Sequence, residues 1–210
     1  MSKRFTHMIK TTFCFYLLTL SYAILAHNLV ELCTINPNIK LDIRYATTNN
    51  FTGQKVYGSP RCFLCASTAQ KLNNVQKELE TMGLGLKVWD GYRPRSVQYI
   101  FWEVTPDRRY VANPDKGSKH NRGTAVDCTL VDKNGNELEM PSAFDDFSEK
   151  AHRNYASMKP EAAKNCKLLE EVMARHGFTP LPHEWWHFDD SDWRDYELLD
   201  IKFSEIDTVH

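Results

Sequence analysis

The sequence predicts an α+β fold, in which helices flank a small, mainly antiparallel sheet within a single domain. The chain has 210 residues and a hydrophobic fraction of 42%, which is enough apolar surface for one core. The predicted strands and helices do not alternate regularly, so a parallel α/β sheet is disfavoured. An Asn134-Gly135 turn between two strand-like segments predicts a β-hairpin, whose strands must be antiparallel.

The first predicted helix covers residues 67–83. Ser67 and Gln70 have the spacing of a capping box, and Gly83 is placed to end the helix. Its apolar positions recur at helical spacing, and they are Ala69, Leu72, Val75, Leu79 and Met82. This pattern predicts an amphipathic helix with one buried face.

The remaining elements follow in order. Residues 86–90, LKVWD, are predicted to form a strand that runs into the turn GYRP, and residues 95–104, RSVQYIFWEV, a second helix. Residues 124–131, TAVDCTLV, alternate as a strand does, and the hairpin turn leads to a partner strand in NELEM, residues 136–140. Residues 160–176 form the last predicted helix, and a final strand follows it.

The N-terminal segment has the pattern of a secretory signal peptide. Basic residues come first, and an uncharged apolar run from Thr11 to Ala26 follows them. We therefore expect residues 1–26 to be removed, which leaves a domain of residues 27–210 exported to the periplasm. An uncleaved anchor is the main alternative and the only membrane contact predicted. A cytoplasmic protein is the remaining alternative.

Charge and cysteine content disfavour other classes. The formal net charge is -1 and the isoelectric point is near 6.7, so neither nucleic acid nor an acidic membrane surface is predicted as a partner. Cys62 and Cys65 have C-x-x-C spacing, but no thioredoxin-like unit or second pair accompanies them. A disulfide or two unpaired thiols are therefore favoured over a redox or zinc site.

Two sets of metal ligands compete in this sequence. Residues 183–187, HEWWH, spell H-E-x-x-H, which on a helix places two histidines on one face with a glutamate base between them. Pro182 could occupy the first turn of such a helix, but the three neighbouring aromatic side chains favour a strand or an irregular extended segment instead. The helical interpretation also lacks an evident third ligand.

The second set begins in SKHNRGTAVD, residues 118–127. His120 precedes a glycine turn and Asp127 lies on the following strand, so both can converge on one ion with His187 as the third ligand. Glu184 lies three residues before His187, and a regular strand would point these two to opposite faces. Both can reach one metal only if the backbone turns or bulges between them.

In order and spacing, SKHNRGTAVD and EWWHF resemble the two zinc motifs of the D-alanyl-D-alanine dipeptidase branch of the zinc D,D-peptidases. Those motifs run S-x-H-x-x-G-x-A-x-D and E-x-x-H. DIRYATTNNFTGQKVYG, WDGYRP and FDDF also resemble family blocks, so the resemblance covers about residues 41–188. It implies a single zinc-peptidase domain that hydrolyses D-alanyl-D-alanine with one zinc ion per chain, in peptidoglycan peptide turnover.

The resemblance also implies roles for the catalytic residues. The implied zinc ligands are His120, Asp127 and His187. Glu184 is implied to be the general base that takes a proton from water and returns it to the leaving amine. Arg93 is implied to stabilise the oxyanion, and the alternative is that it only pairs with Asp90.

Three further residues are implied to contact the substrate. Asp145 matches the family residue that holds the amino terminus, with a helix N-cap as its alternative role. Ser118 matches a serine that can hydrogen-bond the substrate carboxylate, with turn stabilisation as the alternative. Tyr45 and the adjacent ATTNNFTG are implied to line the pocket.

Two other functions stay open at this point. A related zinc D,D-carboxypeptidase would act on longer peptidoglycan stem peptides, which present no ammonium group to Asp145. A non-catalytic, zinc-stabilised module would bind wall peptides without turnover, although the presence of Glu184 argues against it.

Overall fold

The computed structural model of this protein describes residues 29–105 and 107–206. The predicted signal peptide, residues 1–26, lies outside them. Within the described ranges, no helix is long and apolar enough to cross a bilayer.

Five strands form the main sheet, in the order β2-β4-β5-β7-β6. Their bounds are Lys40–Leu41 (β2), Leu84–Asp90 (β4), Ala125–Asp132 (β5), Phe178–Leu181 (β6) and Glu184–Asp190 (β7). Only β2 and β4 pair in parallel, and the other neighbours are antiparallel. A separate ribbon pairs β1, Leu29–Glu31, with β3, Phe63–Cys65. The prediction of an α+β fold with a mainly antiparallel sheet is confirmed.

The described residues form five α-helices, of which the two longest pack against the main sheet. Their bounds are Leu32–Ile35 (α1), Ala66–Thr81 (α2), Arg95–Val104 (α3), Pro160–Arg175 (α4) and Phe203–Ile206 (α5). The long helices α2 and α4 contact each other, and they pack against β4 and β6 respectively. The three helices predicted from apolar spacing are thus confirmed to within about two residues. Helix ends vary by this much for physical reasons, because terminal turns fray.

The predicted capping box at the start of α2 is wrong. The N-cap lies two residues earlier than predicted, at Cys65, and no side chain caps the first turn. Ser67 lies inside the helix, and its hydroxyl is hydrogen-bonded to the hydroxyl of Tyr196. The glycine at the other end acts as predicted, because Gly83 adopts a left-handed φ of 72° after the last turn.

The predicted hairpin after β5 forms only its turn. Gly135 has a φ of 84°, and its N–H donates to the carbonyl of Asp132 at 2.9 Å. Beyond the turn, NELEM makes one bridge, between Val131 and Glu137, instead of a strand. Both edges of β5 are in use, because β4 pairs with one edge and β7 with the other from Ala125 to Asp127. β7 does not pair with residues 128–132 of that edge, and the single bridge at Val131 lies within this part.

The alternation along β5 separates the core from the site. Val126, Cys128 and Leu130 belong to the hydrophobic core, whereas Asp127 points to the opposite face. The same division holds on β7, where Phe188 enters the core. The sheet therefore places polar side chains of two adjacent strands together on one face.

The cysteines in the described residues are all free thiols. Cys62 and Cys65 are both buried and unbridged, so the unpaired-thiol alternative describes this C-x-x-C pair. Burial raises the pKa of the Cys65 thiol to about 12, which keeps this group protonated and unreactive at neutral pH.

Candidate active site

The three predicted metal ligands come together from two segments. His120 opens a short 3-10 helix, His120–Arg122, which ends at Gly123 with a left-handed φ of 70°. The chain then enters β5, where Asp127 lies directly opposite His187 of β7 in the strand register. The turn at Gly123 is what brings the histidine back over the strand that follows it.

The donor atoms of these residues are spaced for a metal ion. His187 Nδ1 lies 3.0 Å from Asp127 Oδ1 and 3.1 Å from His120 Nε2. The remaining pair, His120 Nε2 and Asp127 Oδ1, is 3.5 Å apart. Tetrahedral zinc with ligands at about 2.0–2.1 Å requires donor atoms roughly 3.3 Å apart. The donor set therefore fits zinc. In the described part of the chain, it is the only cluster of three or more His, Cys, Asp or Glu side chains close enough to share one ion.

The three candidate ligands are buried, and their pKa values are shifted by one another's charges. His120, Asp127 and His187 are each less than a tenth exposed. Burial alone would lower the pKa of His187, but the carboxylates of Asp127 and Asp189 outweigh it and raise the pKa to about 10. The pKa of Asp127 is shifted the other way: burial opposes its ionisation, but the two histidines lower its pKa below the usual range. A carboxylate that stays ionised in a buried site attracts positive charge.

Glu184 lies beside the cluster because the β6-β7 pairing is irregular. Leu181 pairs with Glu184, whereas its neighbour Pro180 pairs with Phe188. Adjacent residues of β6 therefore pair with residues of β7 that are four apart, which is a register shift. This irregularity brings Glu184 Oε2 to 3.9 Å from His187 Nδ1, although the two residues are three apart. The predicted bulge is present.

The helical H-E-x-x-H interpretation is excluded, because this segment is a strand. His183 is exposed in the turn before β7, and its ring contacts that of His152 with a centroid distance of 4.9 Å. It takes no part in the cluster of possible ligands.

The environment of Glu184 changes its acidity. Burial is the largest influence and raises its pKa to about 7, although His187 acts in the opposite direction. A carboxyl group with that pKa exchanges a proton readily at neutral pH. The side chain can therefore both accept and return a proton.

Arg93 follows β4 and lines the same cavity. Its guanidinium donates to Asp90 Oδ2 from Nε at 3.1 Å and from Nη2 at 2.7 Å, and Nη1 donates to Gln98 at 2.8 Å. It also lies 4.4 Å from the ring centroid of Phe101. The alternative pairing with Asp90 is thus present. Because Arg93 reaches the cavity as well, the pairing orients the guanidinium and does not remove it from the site.

Asp145 lies in a loop, lines the cavity and is hydrogen-bonded to Tyr45. The Tyr45 hydroxyl lies 3.0 and 3.2 Å from the two carboxylate oxygens and donates to them. Burial, and then the charge of Asp127, raise the pKa of Asp145 well above its usual range. The N-cap alternative is wrong, because Ser148 caps the helical turn that follows.

Ser118 is buried, and its hydroxyl accepts from the backbone N–H of His120 at 3.3 Å. Its own N–H donates to Asn121 at 2.7 Å. The turn-stabilising role is therefore visible, and Ser118 also lines the cavity.

The cavity above the cluster has a volume of about 590 Å³. Of the segment ATTNNFTG, only Phe51 is among its lining residues. Several lining side chains were missed at the level of sequence, and they include Arg108, Tyr110, Lys116, Phe147, Trp186 and Trp193. These residues come from separate loops and strands, so no spacing in the sequence indicates that they meet.

Comparison with known proteins is consistent with this geometry. A family model described as D-Ala-D-Ala dipeptidase, of the M15 peptidases, matches residues 25–207. The chain belongs to the D-Ala-D-Ala dipeptidase family.

Named relatives align over most of their length. The chain is 38% identical over 176 residues to a D-alanyl-D-alanine dipeptidase of Escherichia coli, covering 84% of this chain and 91% of the relative. It is 32% identical over 171 residues to one of Enterococcus faecalis, covering 71% of this chain and 85% of that relative. A third, from Streptomyces coelicolor, is 33% identical over 174 residues, with coverage of 71% and 85%. As a member of the D-Ala-D-Ala dipeptidase family, this protein is a metallopeptidase.

Proposed function

We propose that this protein hydrolyses D-alanyl-D-alanine to two D-alanines, with one zinc ion per chain. The observation that carries the proposal is the convergence of His120, Asp127 and His187 beside Glu184 in one cavity, in a member of the D-Ala-D-Ala dipeptidase family. Arg93 and Asp145 line the same cavity, so the cavity contains a base, a cation and a second carboxyl group beside the proposed metal ligands.

His120 Nε2, Asp127 Oδ1 and His187 Nδ1 would hold the zinc. Three protein ligands leave one coordination position open, as in other catalytic zinc sites. Zinc there supplies Lewis-acid activation of water and of the scissile carbonyl. The closed, four-ligand pattern of a purely structural zinc site has no counterpart among the described residues.

Glu184 acts as the general base. Its carboxylate takes a proton from the attacking water, and the same group returns that proton to the leaving amine. The raised pKa, about 7, suits both directions of transfer at neutral pH. Its place beside His187 keeps it close to the metal ligands without making it one of them.

Arg93 stabilises the negative charge that develops on the carbonyl oxygen. Asp90 and Gln98 hold its guanidinium in place before the substrate arrives, so little reorganisation is needed during the reaction. The guanidinium keeps its charge throughout, because burial opposes ionisation but Asp90 outweighs it and raises the pKa well above the usual value.

Asp145 and Ser118 bind the two ends of the dipeptide. The Asp145 carboxyl, held by the Tyr45 hydroxyl, pairs with the substrate ammonium, and the approach of that cation favours its ionised form. Ser118 hydrogen-bonds the substrate carboxylate. An enzyme that recognises both ends discriminates a free dipeptide from a longer stem peptide.

The first test compares D-Ala-D-Ala with N-acetyl-D-Ala-D-Ala, using the zinc-loaded protein. Acetylation removes the ammonium, so kcat/KM should fall by at least a factor of ten, which corresponds to about 1.4 kcal/mol of lost ion pairing. The Asp145→Asn variant should lose activity on the free dipeptide and lose most of this discrimination. Equal cleavage of both substrates would favour a D,D-carboxypeptidase, and binding without release of D-alanine would favour a non-catalytic module.

We also propose that this enzyme is exported and acts in the periplasm. The basic residues followed by the apolar run up to Ala26 support a cleaved signal peptide and a periplasmic enzyme that acts on wall-derived peptides. Mass spectrometry of the protein recovered from cell fractions tests it. Protein in the cytosolic fraction with residues 1–26 still attached would contradict export.

A further inference from the structure

His187 must present one particular ring nitrogen to the metal, and the contact that fixes this choice lies outside the recognised motifs. Nδ1 points to Asp127 and His120, whereas Nε2 points away from them, to Asp189 Oδ1 at 2.8 Å. Both ring nitrogens face a carboxylate oxygen, but only Nδ1 also faces His120 Nε2 and so points into the proposed metal position. A metal would take the place of a hydrogen on Nδ1, while Nε2 keeps its hydrogen and donates it to Asp189. The ring cannot rotate without losing this bond.

The backbone of β7 holds Asp189 where this contact requires it. Asp189 lies two residues after His187, so both side chains project from the same face of the strand. Its backbone pairs with Ala125 on β5 and with Thr179 on β6, which fixes it from both sides. The side chain is 11% exposed, so water competes weakly for the carboxylate.

The second oxygen of Asp189 ties this strand to the other ligand-bearing segment. Asp189 Oδ2 lies 3.3 Å from Lys119 Nζ, and Lys119 immediately precedes His120. The lysine ammonium also lies over the ring of Trp193, with Nζ 5.3 Å from the ring centroid. The Asp189 carboxylate therefore contacts the proposed ligand His187 directly, and it contacts Lys119, the residue next to the proposed ligand His120.

The two proposed histidine ligands are oriented by different means. His120 donates from Nδ1 to the backbone carbonyl of Gly91 at 2.7 Å, and no substitution removes that acceptor. The corresponding acceptor for His187 is a side chain. The orientation of His187 can therefore be tested by mutation, and that of His120 cannot.

We infer that Asp189, braced by Lys119, is a positioning residue that orients His187 for metal binding. This inference rests on the proposed zinc site. Carboxylate partners of metal-bound histidines fix the ring and strengthen the ligand, and their loss typically reduces metal affinity or activity by 10- to 100-fold. Asp189 occupies the position after EWWHF, and Lys119 a variable position of SKHNRGTAVD, so neither belongs to the residues that define the two motifs.

The test measures zinc affinity by competition with a chromophoric chelator, together with the thermal stability of the metal-free protein. Asp189→Ala should weaken zinc binding by about 10- to 100-fold. Asp189→Asn keeps one oxygen acceptor and should lose less. Its amide N–H₂, however, must face either the imidazole N–H or the ammonium, which are both donors. Adding Lys119→Met to Asp189→Asn should therefore bring the zinc affinity closer to that of the wild type.

Asp190→Asn is the matched control on the same strand. Asp190 points to the opposite face, where its oxygens accept from Thr68 at 2.7 Å and from Lys71 at 2.5 Å. Its loss should lower the thermal stability of the metal-free protein and leave zinc affinity within about threefold of the wild type. A simple loss of fold stability would affect both variants alike, whereas a positioning role affects zinc affinity only at Asp189.

Two outcomes overturn the inference: Asp189→Ala binding zinc within about threefold of the wild type, or Asp190→Asn losing as much zinc affinity as Asp189→Ala. Failure of the proposed function is recognised separately, because the wild type would then bind no zinc or release no D-alanine. A wild type that binds zinc and hydrolyses the dipeptide, with an unaffected Asp189→Ala variant, refutes the positioning role alone.

Discussion

At the residue scale, the surroundings of Glu184 change the acidity of the proposed general base. Burial raises its pKa from 4.5 to about 7, and the opposing effects of His187 and Asp127 modify this shift. Because the base must be ionised to accept the water proton, we expect kcat/KM of the zinc-loaded enzyme to fall as the pH decreases through the pKa of Glu184, which burial raises and a bound cation would lower. A pH–rate profile measures this fall. A profile that stays flat down to the ordinary glutamate range, near pH ~4.3, would assign the proton transfer to another group.

The Glu184→Gln variant separates catalysis from metal binding. We expect kcat to fall by about 10²- to 10⁴-fold, because the amide cannot accept the proton, while zinc content stays that of the wild type. Metal analysis and D-alanine release measure the two effects. Glu171→Gln, on the exposed face of α4, is the control and should change neither. Loss of zinc from the Glu184→Gln variant would mean that Glu184 is a ligand.

The same substitution should alter stability in a direction fixed by the pKa. The pKa of Glu184 is higher in the folded protein than in the unfolded chain. The protonated carboxyl therefore contributes its full stabilisation below about pH 4.5, and this contribution is lost as the pH rises through about 7. Above pH ~7, ionised Glu184 opposes folding of the metal-free protein by up to about 3 kcal/mol. Metal-free Glu184→Gln should therefore melt at a higher temperature than the metal-free wild type at alkaline pH. An equal or lower melting temperature would contradict this.

At the scale of elements, the turn before β5 controls the position of His120. Gly123 has a φ of 70°, and a Cβ there would lie 2.7 Å from Leu29 Cδ2 and 3.0 Å from the backbone nitrogen of Cys65. Its carbonyl also accepts from that nitrogen at 2.9 Å. A side chain at this position must therefore displace either the β1-β3 ribbon or the turn itself.

We expect Gly123→Ala to lower the free energy of unfolding by about 2–4 kcal/mol, because conformational strain and a steric clash add together. Gly53→Ala is the matched control: Gly53 has a φ of 65°, but a Cβ there meets no atom within 4 Å. That variant should lose only about 1 kcal/mol. Denaturant unfolding of both metal-free variants measures the difference. Equal losses would show that the contact with the ribbon contributes nothing.

Local patterns predicted most elements and failed where tertiary contacts compete. The apolar spacing along residues 67–82 identified α2. The Ser67 hydroxyl, however, is hydrogen-bonded to Tyr196 and does not cap a backbone N–H of the first helical turn. The Asn134-Gly135 turn was correct, but its second strand is reduced to the single bridge between Val131 and Glu137. The sequence also contained no sign of β6 as a separate strand, since Pro180 disfavours one except at a sheet edge, where β6 lies.

At the scale of the whole molecule, the metal site joins segments far apart in the chain. His120 and His187 are 67 residues apart in sequence, and their ring nitrogens lie 3.1 Å apart. A bound ion would connect the 3-10 turn, β5 and β7, so its binding energy adds to the stability of the entire fold. The metal should therefore stabilise the protein against global unfolding and not only the local site.

We expect a chelator to lower the melting temperature of the wild type by about 10 °C, since zinc at about 1,000 times its Kd contributes about 4 kcal/mol. His183→Ala should keep this zinc-dependent shift and its activity, because His183 is exposed and outside the cluster. His120→Ala should lose both. Thermal melts with and without chelator, combined with metal analysis, measure the shifts. If His183→Ala lost the zinc-dependent shift and the activity while His120→Ala kept both, the ligands would be those of the H-E-x-x-H interpretation.

The sequence by itself determined the α+β class, the three main helices and two competing sets of candidate metal ligands, because each leaves a short-range pattern in composition or spacing. Only the tertiary structure decided how those residues are used. It placed the β6-β7 irregularity that brings Glu184 to His187, the Gln98 contact that holds Arg93 in the cavity, and the hydrogen bond that His187 Nε2 donates to Asp189. These features depend on strand register and on packing between distant segments, which spacing along the chain does not encode.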